Sequence, residues 1–265
     1  MTYVDAKLSR RNERQSTAKT SRKQAVRINR FYGHSVMIDG LSPSSTVVDL
    51  GSNQGNFALA VSDYFRCKPF CVEPDPNLYQ ALAANSAVSA YNFAVTTRTG
   101  SARFYLAEND ECSSLIPPTI SKTIGEIECQ AVTMETLLTT IGVQQVDLLK
   151  VDIEGLEREL LGSLDARVLD RVNQLSVEFH ESIGMGTVKQ VMETIDHIKT
   201  FGFGVLRGSF FDYSDVLFLH AERLNLRWNW GWMATVEKIR NGIYRKLPHP
   251  SATCGSATCR NDQPQ

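Results

Sequence analysis

The chain of 265 residues carries 28 Lys or Arg against 29 Asp or Glu, a net charge of -1, and 42% of it is apolar. That length suits one α/β domain with extensions and a core of its own, and the balanced charge excludes a chain built as a whole to bind nucleic acid or anionic lipid. Six cysteines are scattered at 67, 71, 112, 129, 254 and 259 with neither a disulfide framework nor paired metal spacing, so they read as reduced thiols of a cytoplasmic protein.

The charge is unevenly spread. Residues 1–30 hold nine of the basic residues, with only Asp5 and Glu13 opposing them, and are expected to form a mobile basic arm. Asp5 and Glu13 argue against a transit peptide, no apolar block marks a secretory signal, and no run approaches the ~18 apolar residues of a membrane span.

From there the chain alternates short apolar runs with helical patterns, which predicts a mostly parallel sheet covered by helices on both faces. Strands are expected at 46–50, 69–73 and 90–95, with Phe57, Ala58 and Val61 on the first helix and Leu78, Leu82 and Ala83 on a second opened by Pro76. A turn at Gly100 leads into 102–106, which alternates as a hairpin partner does, and then to an irregular loop, 108–118. The run 146–152 is Leu- and Val-rich enough for burial on both faces, and Leu156, Leu160, Leu161 and Leu164 stripe the helix after it. A fifth strand covers 175–179. Val188, Val191, Met192, Ile195 and Ile198 mark a further helix, and 204–208 with 215–220 read as a closing antiparallel pair. The domain is therefore expected over 31–222. Residues 223–247, with Trp228, Trp230 and Trp232 followed by a basic helical pattern, form an extension, and 248–265 a disordered tail.

Residues 47–57, Val-Val-Asp-Leu-Gly-Ser-Asn-Gln-Gly-Asn-Phe, run an apolar strand into a tight glycine turn and a helix, the arrangement that holds a nucleotide-like cofactor. Glu73 ends the next strand near the ~20-residue spacing at which an acid grips the ribose hydroxyls of adenosine. A nicotinamide or flavin fingerprint wants Gly at the third and sixth places of the turn, where this chain has Asn53 and Asn56. The pair Gly51 and Gly55 suits instead a pyrophosphate-free molecule, S-adenosylmethionine, with Asp49 near its amino acid end.

These segments, with Val72-Glu73-Pro74, Asn92-Phe93-Ala94-Val95, Ser113-Ser114-Leu115, residues 147–155 (Asp-Leu-Leu-Lys-Val-Asp-Ile-Glu-Gly), Glu159-Leu160-Leu161-Gly162 and Val177-Glu178-Phe179-His180, resemble the FkbM-type methyltransferases. The Lys-x-Asp-x-Glu-Gly segment is the most specific piece. Ser52 stands where the family favours alanine. The resemblance runs from about residue 42 to about residue 220, leaving both tails and the tryptophans outside it. It implies a Rossmann-like class I methyltransferase fold, with a seven-stranded mostly parallel sheet. The implied activity is S-adenosylmethionine-dependent methyl transfer to a hydroxyl oxygen of a sugar or glycan, a polyketide or a related metabolite, with S-adenosylhomocysteine as product.

An acceptor hydroxyl must lie in line with the departing sulfur, and as a weak nucleophile it gains from a base or a charge that stabilises alkoxide. Candidates stand at the carboxyl ends of the strands, where open α/β sheets place ligands. Asp152 is expected to face the cofactor's methionine end or the acceptor, Glu154 follows it, and His180 is the expected base. The plainer readings are a helix cap for Asp152 and a loop hydrogen bond for His180. Glu178 orients His180 or ends in an internal salt bridge, and Lys150 pairs with Asp152. On the cofactor side stand Asp49, Gly51, Asn53, Gly55, Glu73 and Asp152, with Asn92 and Ala94 toward the adenine. Ser113 and Ser114 are expected to close over substrate, and no His, Asp and Glu cluster has metal-ligand spacing.

Other readings compete. The basic arm would serve a nucleic-acid methyltransferase, although Asp-Ile-Glu-Gly stands where base-amine enzymes carry Asn- or Asp-Pro-Pro-Tyr. A non-catalytic binding module remains open, because a fold does not determine a function. A nicotinamide oxidoreductase is disfavoured by Asn53 and Asn56. The tryptophans would serve core packing, a sugar platform or a peripheral membrane contact.

Overall fold

The computed structural model describes residues 26–209 and 212–226. The basic arm through residue 25, Trp228, Trp230 and Trp232 with their basic helical pattern, and the tail lie outside the described residues. Among the described residues no helix is long and apolar enough to cross a membrane.

The described residues open with a hairpin absent from the expected elements, β1 (Ile28–Phe31) and β2 (His34–Met37), paired antiparallel. Tyr32 and Gly33, at φ 41° and 91°, make its two-residue turn, and positive φ at both central positions matches the strand twist. Next come β3 (Val47–Leu50), α1 (Asn56–Phe65), β4 (Phe70–Val72), α2 (Pro76–Ala83) and β5 (Ser89–Tyr91). Asp75 caps α2 by accepting from the Asn77 N–H at 2.7 Å, with Pro76 at the first helical position.

The expected strand 90–95 divides. Its first part is β5, and β6 (Ala94–Val95) leaves the sheet to pair in parallel with β8 (Thr123–Val132). Asn92 causes the break, since its Nδ2 turns back to donate to the carbonyls of Glu73 and Pro74, both at 2.9 Å. β7 (Gly100–Ala107) is the expected hairpin arm and pairs antiparallel with β8. The run that forms β8 had no strand assigned to it because its Glu and Gln residues alternate outward from a ribbon that stands clear of the core.

The second half supplies α3 (Met134–Thr140), β9 (Leu148–Val151), α4 (Glu157–Ser163), α5 (Ala166–Leu169), β10 (Gln174–Val177), α6 (Val188–Lys199), β11 (Phe203–Arg207) and β12 (Val216–His220). Thr187 and Gln190 form a reciprocal capping box on α6. The main sheet runs β11-β12-β10-β9-β3-β4-β5, parallel except where β12 opposes both of its neighbours. It is the seven-stranded α/β sheet expected from the sequence.

Alternation along β3 and β9 feeds both faces. Val48, Leu50, Leu149 and Val151 enter the larger core under α3, α4 and α6, while Val47 and Leu148 join Phe57, Val61 and Phe65 of α1. All six strand residues are fully buried, and burying each is worth about 1.5–3 kcal/mol. The hairpin closes that second side. Ser35 donates its N–H and hydroxyl to Asp215, each at 2.8 Å, and Gln174 exchanges hydrogen bonds with the Met37 backbone. From β3 the chain moves outward through β4 and β5, then returns to β9 on the other side. That reversal opens a crevice at the carboxyl ends of β3 and β9.

Candidate active site

A cavity of about 250 Å³ occupies the crevice. Its floor is the turn after β3. Gly51, at φ 69°, lies so close to β9 that a Cβ there would stand 1.8 Å from the Asp152 carbonyl oxygen. The Gly51 and Ser52 N–H groups donate to Val72 O, and the Ser52 hydroxyl bridges Asp49 O and Val72 N. One wall is Glu73, only 4% exposed. Its Oε2 accepts from Asn53 N at 2.8 Å and its Oε1 from Asp75 N at 2.9 Å, which leaves each oxygen a lone pair toward the cavity. Burial pushes its carboxyl up to about 7 despite those donors. Phe93, Ala94, Val95, Phe104 and Leu115 make an apolar side.

Opposite stands a charged wall. Lys150 Nζ lies 3.0 Å from Asp49 Oδ1 and 3.5 Å from Asp152 Oδ2, and donates to Gly51 O at 2.7 Å. Burial opposes ionisation of Asp152, but Lys150, with His34 and His180 beside it, holds its carboxyl well below the usual range. Asp152 does not cap α4. Glu157, the first residue of α4, instead braces the turn that precedes the helix by accepting from the N–H groups of Ile153 and Gly155, each at 3.0 Å. Between them Glu154 adopts φ 51°, costly for a side-chain-bearing residue. The Ser114 hydroxyl anchors that turn by donating to Glu154 O at 2.6 Å.

Of the sequence candidates, Gly51, Asn53, Glu73, Ala94, Asp152, Glu154 and Ser113 line the cavity, and so do Lys150 and Glu178. Asp49, Gly55, Asn92, Ser114 and His180 do not. Asp49 is sealed beneath Lys150. Gly55 makes room for α2, since a Cβ would sit 2.5 Å from Leu82 Cδ2. Asn92 holds the Glu73–Pro74 backbone. His180 stands behind the carboxylates, with Nδ1 3.1 Å from Glu157 Oε1 and Nε2 3.4 Å from Glu154 Oε2. Burial alone would lower its pKa, but the hydrogen bonds and charges of Glu154 and Glu157 outweigh that and push it to about 12. The ring is an imidazolium at neutral pH, with no free lone pair for a proton. Glu178 at the end of β10 is pushed up to about 7, first by burial and then by Asp152.

His34 was missed in the sequence. The hairpin brings it into the wall, 2% exposed, edge-on to Phe57, with Nε2 3.5 Å from Asp152 Oδ2 and 3.9 Å from Glu178 Oε2. A lone histidine more than a hundred residues from the two carboxylates it faces belongs to no local motif.

The family described as Methyltransferase FkbM domain matches residues 49–205. A curated relative, Methyltransferase sdnD of Sordaria araneosa, is 27% identical over 191 residues, covering 58% of this chain and 74% of that protein. Among solved structures, a fibrillarin/Nop5p complex aligns at 14% identity and TM-score 0.42, covering 67% of this chain and 72% of that one. A methyltransferase from Pyrococcus furiosus aligns at 13% and 0.37, covering 68% and 77%. Likeness at that structural level says nothing of a substrate. The family match spans more than half of the chain, from within β3 into β11, and by it the chain belongs to the FkbM methyltransferase family.

Proposed function

We propose that this methyltransferase takes its methyl group from S-adenosylmethionine and delivers it to a hydroxyl oxygen of a small-molecule or glycan acceptor. The observation that carries the reading is Glu73, a buried carboxylate whose two oxygens are each fixed by a backbone N–H and each keep a lone pair for a vicinal diol. The rest of the donor set fits the same molecule. The Gly51–Asn53 turn offers close backbone approach, Phe93, Ala94 and Phe104 an apolar slot for a purine, and Asp152 a negative charge for the methionine end. When bound, S-adenosylmethionine supplies an electrophilic methyl group on a cationic sulfur.

The chain's own part is to place the acceptor, exclude water and take up its proton. Glu154 is the group proposed to receive that proton. It lines the cavity, and its left-handed backbone, held by Ser114, directs the side chain. His180 is reassigned from base to positioning residue, a charged donor behind Glu154. Asp49, Gly55 and Asn92 support the site without touching the cofactor.

Calorimetric titration of S-adenosylmethionine and S-adenosylhomocysteine into wild type and Glu73→Ala tests the reading. Expected is binding by wild type that weakens about tenfold or more in the variant, the worth of roughly one charged hydrogen bond. Absence of binding by folded wild-type protein would overturn it.

A further inference from the structure

We propose that His34, Asp152 and Glu178 form a binding site for one divalent transition-metal cation of the Mn²⁺, Fe²⁺ or Zn²⁺ kind, set in the wall of the cavity.

One ligand atom from each of the three lies within 4.8 Å of the others. The separations of 3.5 Å and 3.9 Å from His34 Nε2 to the two carboxylate oxygens exceed those of hydrogen bonds, at about 2.7–3.2 Å. They approach instead the spacing of ligands around an ion. Atoms each about 2.1 Å from one metal stand about 3–3.5 Å apart in tetrahedral or octahedral arrangement, so His34 and Asp152 already have that spacing and the partly exposed Glu178 carboxylate would swing inward to complete it.

Independent observations point the same way. His34 is a polar side chain 98% removed from solvent, yet Nδ1 has no hydrogen-bond partner and Nε2 is directed at two carboxylates. The Asp152 Oδ1 atom is likewise buried without a hydrogen-bond partner. The Glu178 carboxylate makes no hydrogen bond among the described residues and is one-third exposed on the cavity side. Two carboxylates with one imidazole suit Mn²⁺, Fe²⁺ or Zn²⁺ better than Mg²⁺ or Ca²⁺, which prefer oxygen alone. The second trio, Glu154 and His180 with Asp152, shares that carboxylate with the first, so Glu178→Gln, which touches only the first, tells the two apart.

Lys150, 3.5 Å from Asp152 Oδ2, is the countervailing charge. Together with the missing acceptor for His34 Nδ1, it sets the expected affinity in the micromolar range rather than lower, since an absent outer partner typically costs 10–100-fold. One side of the ion would face the cavity, where an acceptor hydroxyl oxygen is its natural further ligand. That role rests on the function proposed above, but the site itself does not.

The test titrates Mn²⁺ into the full chain, freed of metal by chelator and dialysis, and follows loss of the free-ion electron paramagnetic resonance signal. Co²⁺ absorption provides a second readout of an imidazole ligand. Expected is saturation at one ion per chain, weakened about tenfold or more by His34→Ala and by Glu178→Gln and unchanged by Glu73→Ala. Glu178→Gln is nearly isosteric, so it carries the test should His34→Ala fail to fold. No Mn²⁺ binding, or binding that Glu178→Gln leaves intact, would overturn the proposal. Because Glu73→Ala reads out on S-adenosylmethionine and Glu178→Gln on the metal, failure of one reading is distinguishable from failure of the other.

Discussion

Asp49 and Lys150 face each other across the β3–β9 ladder and meet as an ion pair of 3.0 Å, with neither side chain more than 4% exposed. Burial works against the Lys150 charge, yet Asp49 and Asp152 outweigh it and hold the ammonium protonated. By also bonding Gly51 O and approaching Asp152, the same ammonium ties the turn after β3 to the end of β9.

Removing that ammonium leaves two carboxylates without their cation. Lys150→Met is expected to cost about 3–5 kcal/mol of stability in urea unfolding. Adding Asp49→Asn should recover part of it, with a coupling of about 1–3 kcal/mol between the two changes. Strict additivity would mean that the pair does not act as a unit.

Gly51 is held to glycine by two separate constraints, a φ of 69° and the Asp152 carbonyl 1.8 Å from any Cβ. Gly142 shares the first, at φ 70°, but has nothing within 4 Å. Gly142→Ala should therefore lose only the left-handed strain, about 1–2 kcal/mol. Gly51→Ala should lose clearly more, about 3 kcal/mol or beyond, because β9 must also move. Equal midpoints for the two variants in denaturant would refute the close approach.

The Glu73 carboxyl, raised from 4.5 to about 7, sets a pH dependence of the unliganded protein. Between those values the folded chain holds a proton that the unfolded chain has released, so stability falls as pH rises and the full cost applies above about 7. Glu73→Gln lacks this decline. Relative to wild type, the variant should gain about 2 kcal/mol between pH 5 and pH 8. Chemical denaturation at the two pH values measures the difference, and parallel curves would count against a buried ionising Glu73.

Asn92 acts on the site through backbone. Its amide joins the Glu73 and Pro74 carbonyls, so Asn92→Ala releases the segment that presents the Glu73 carboxylate. We expect S-adenosylmethionine affinity to fall about tenfold, the worth of one to two net hydrogen bonds. Amide exchange at Asn53 and Asp75 should quicken in the unliganded variant. Weaker binding with unchanged exchange would point instead to direct contact between Asn92 and the ligand.

Much of the frame was legible locally. β4 is a continuous apolar run, and β3 and β9 are apolar apart from Asp49 and Lys150, because both their faces are covered, and a run of that kind announces itself without knowledge of its neighbours. β8 was not legible, because a ribbon that buries only its last residues carries little hydrophobic signal. The β1–β2 hairpin also escaped notice, since it closes on the body through Gln174 and Asp215, far away in the sequence.

What the sequence by itself determined is the order of the main-sheet strands, the glycine turn and the acids at the strand ends, all consequences of short-range periodicity and turn chemistry. Which of those side chains meet was decided only by the tertiary structure. His180 is surrounded by three carboxylates and becomes a cation behind the cavity, while His34 arrives from a hairpin to stand where a functional histidine was expected. The physical reason is that charge state and ligand geometry depend on distances of a few ångströms between residues distant in sequence, and only a closed fold brings those residues together.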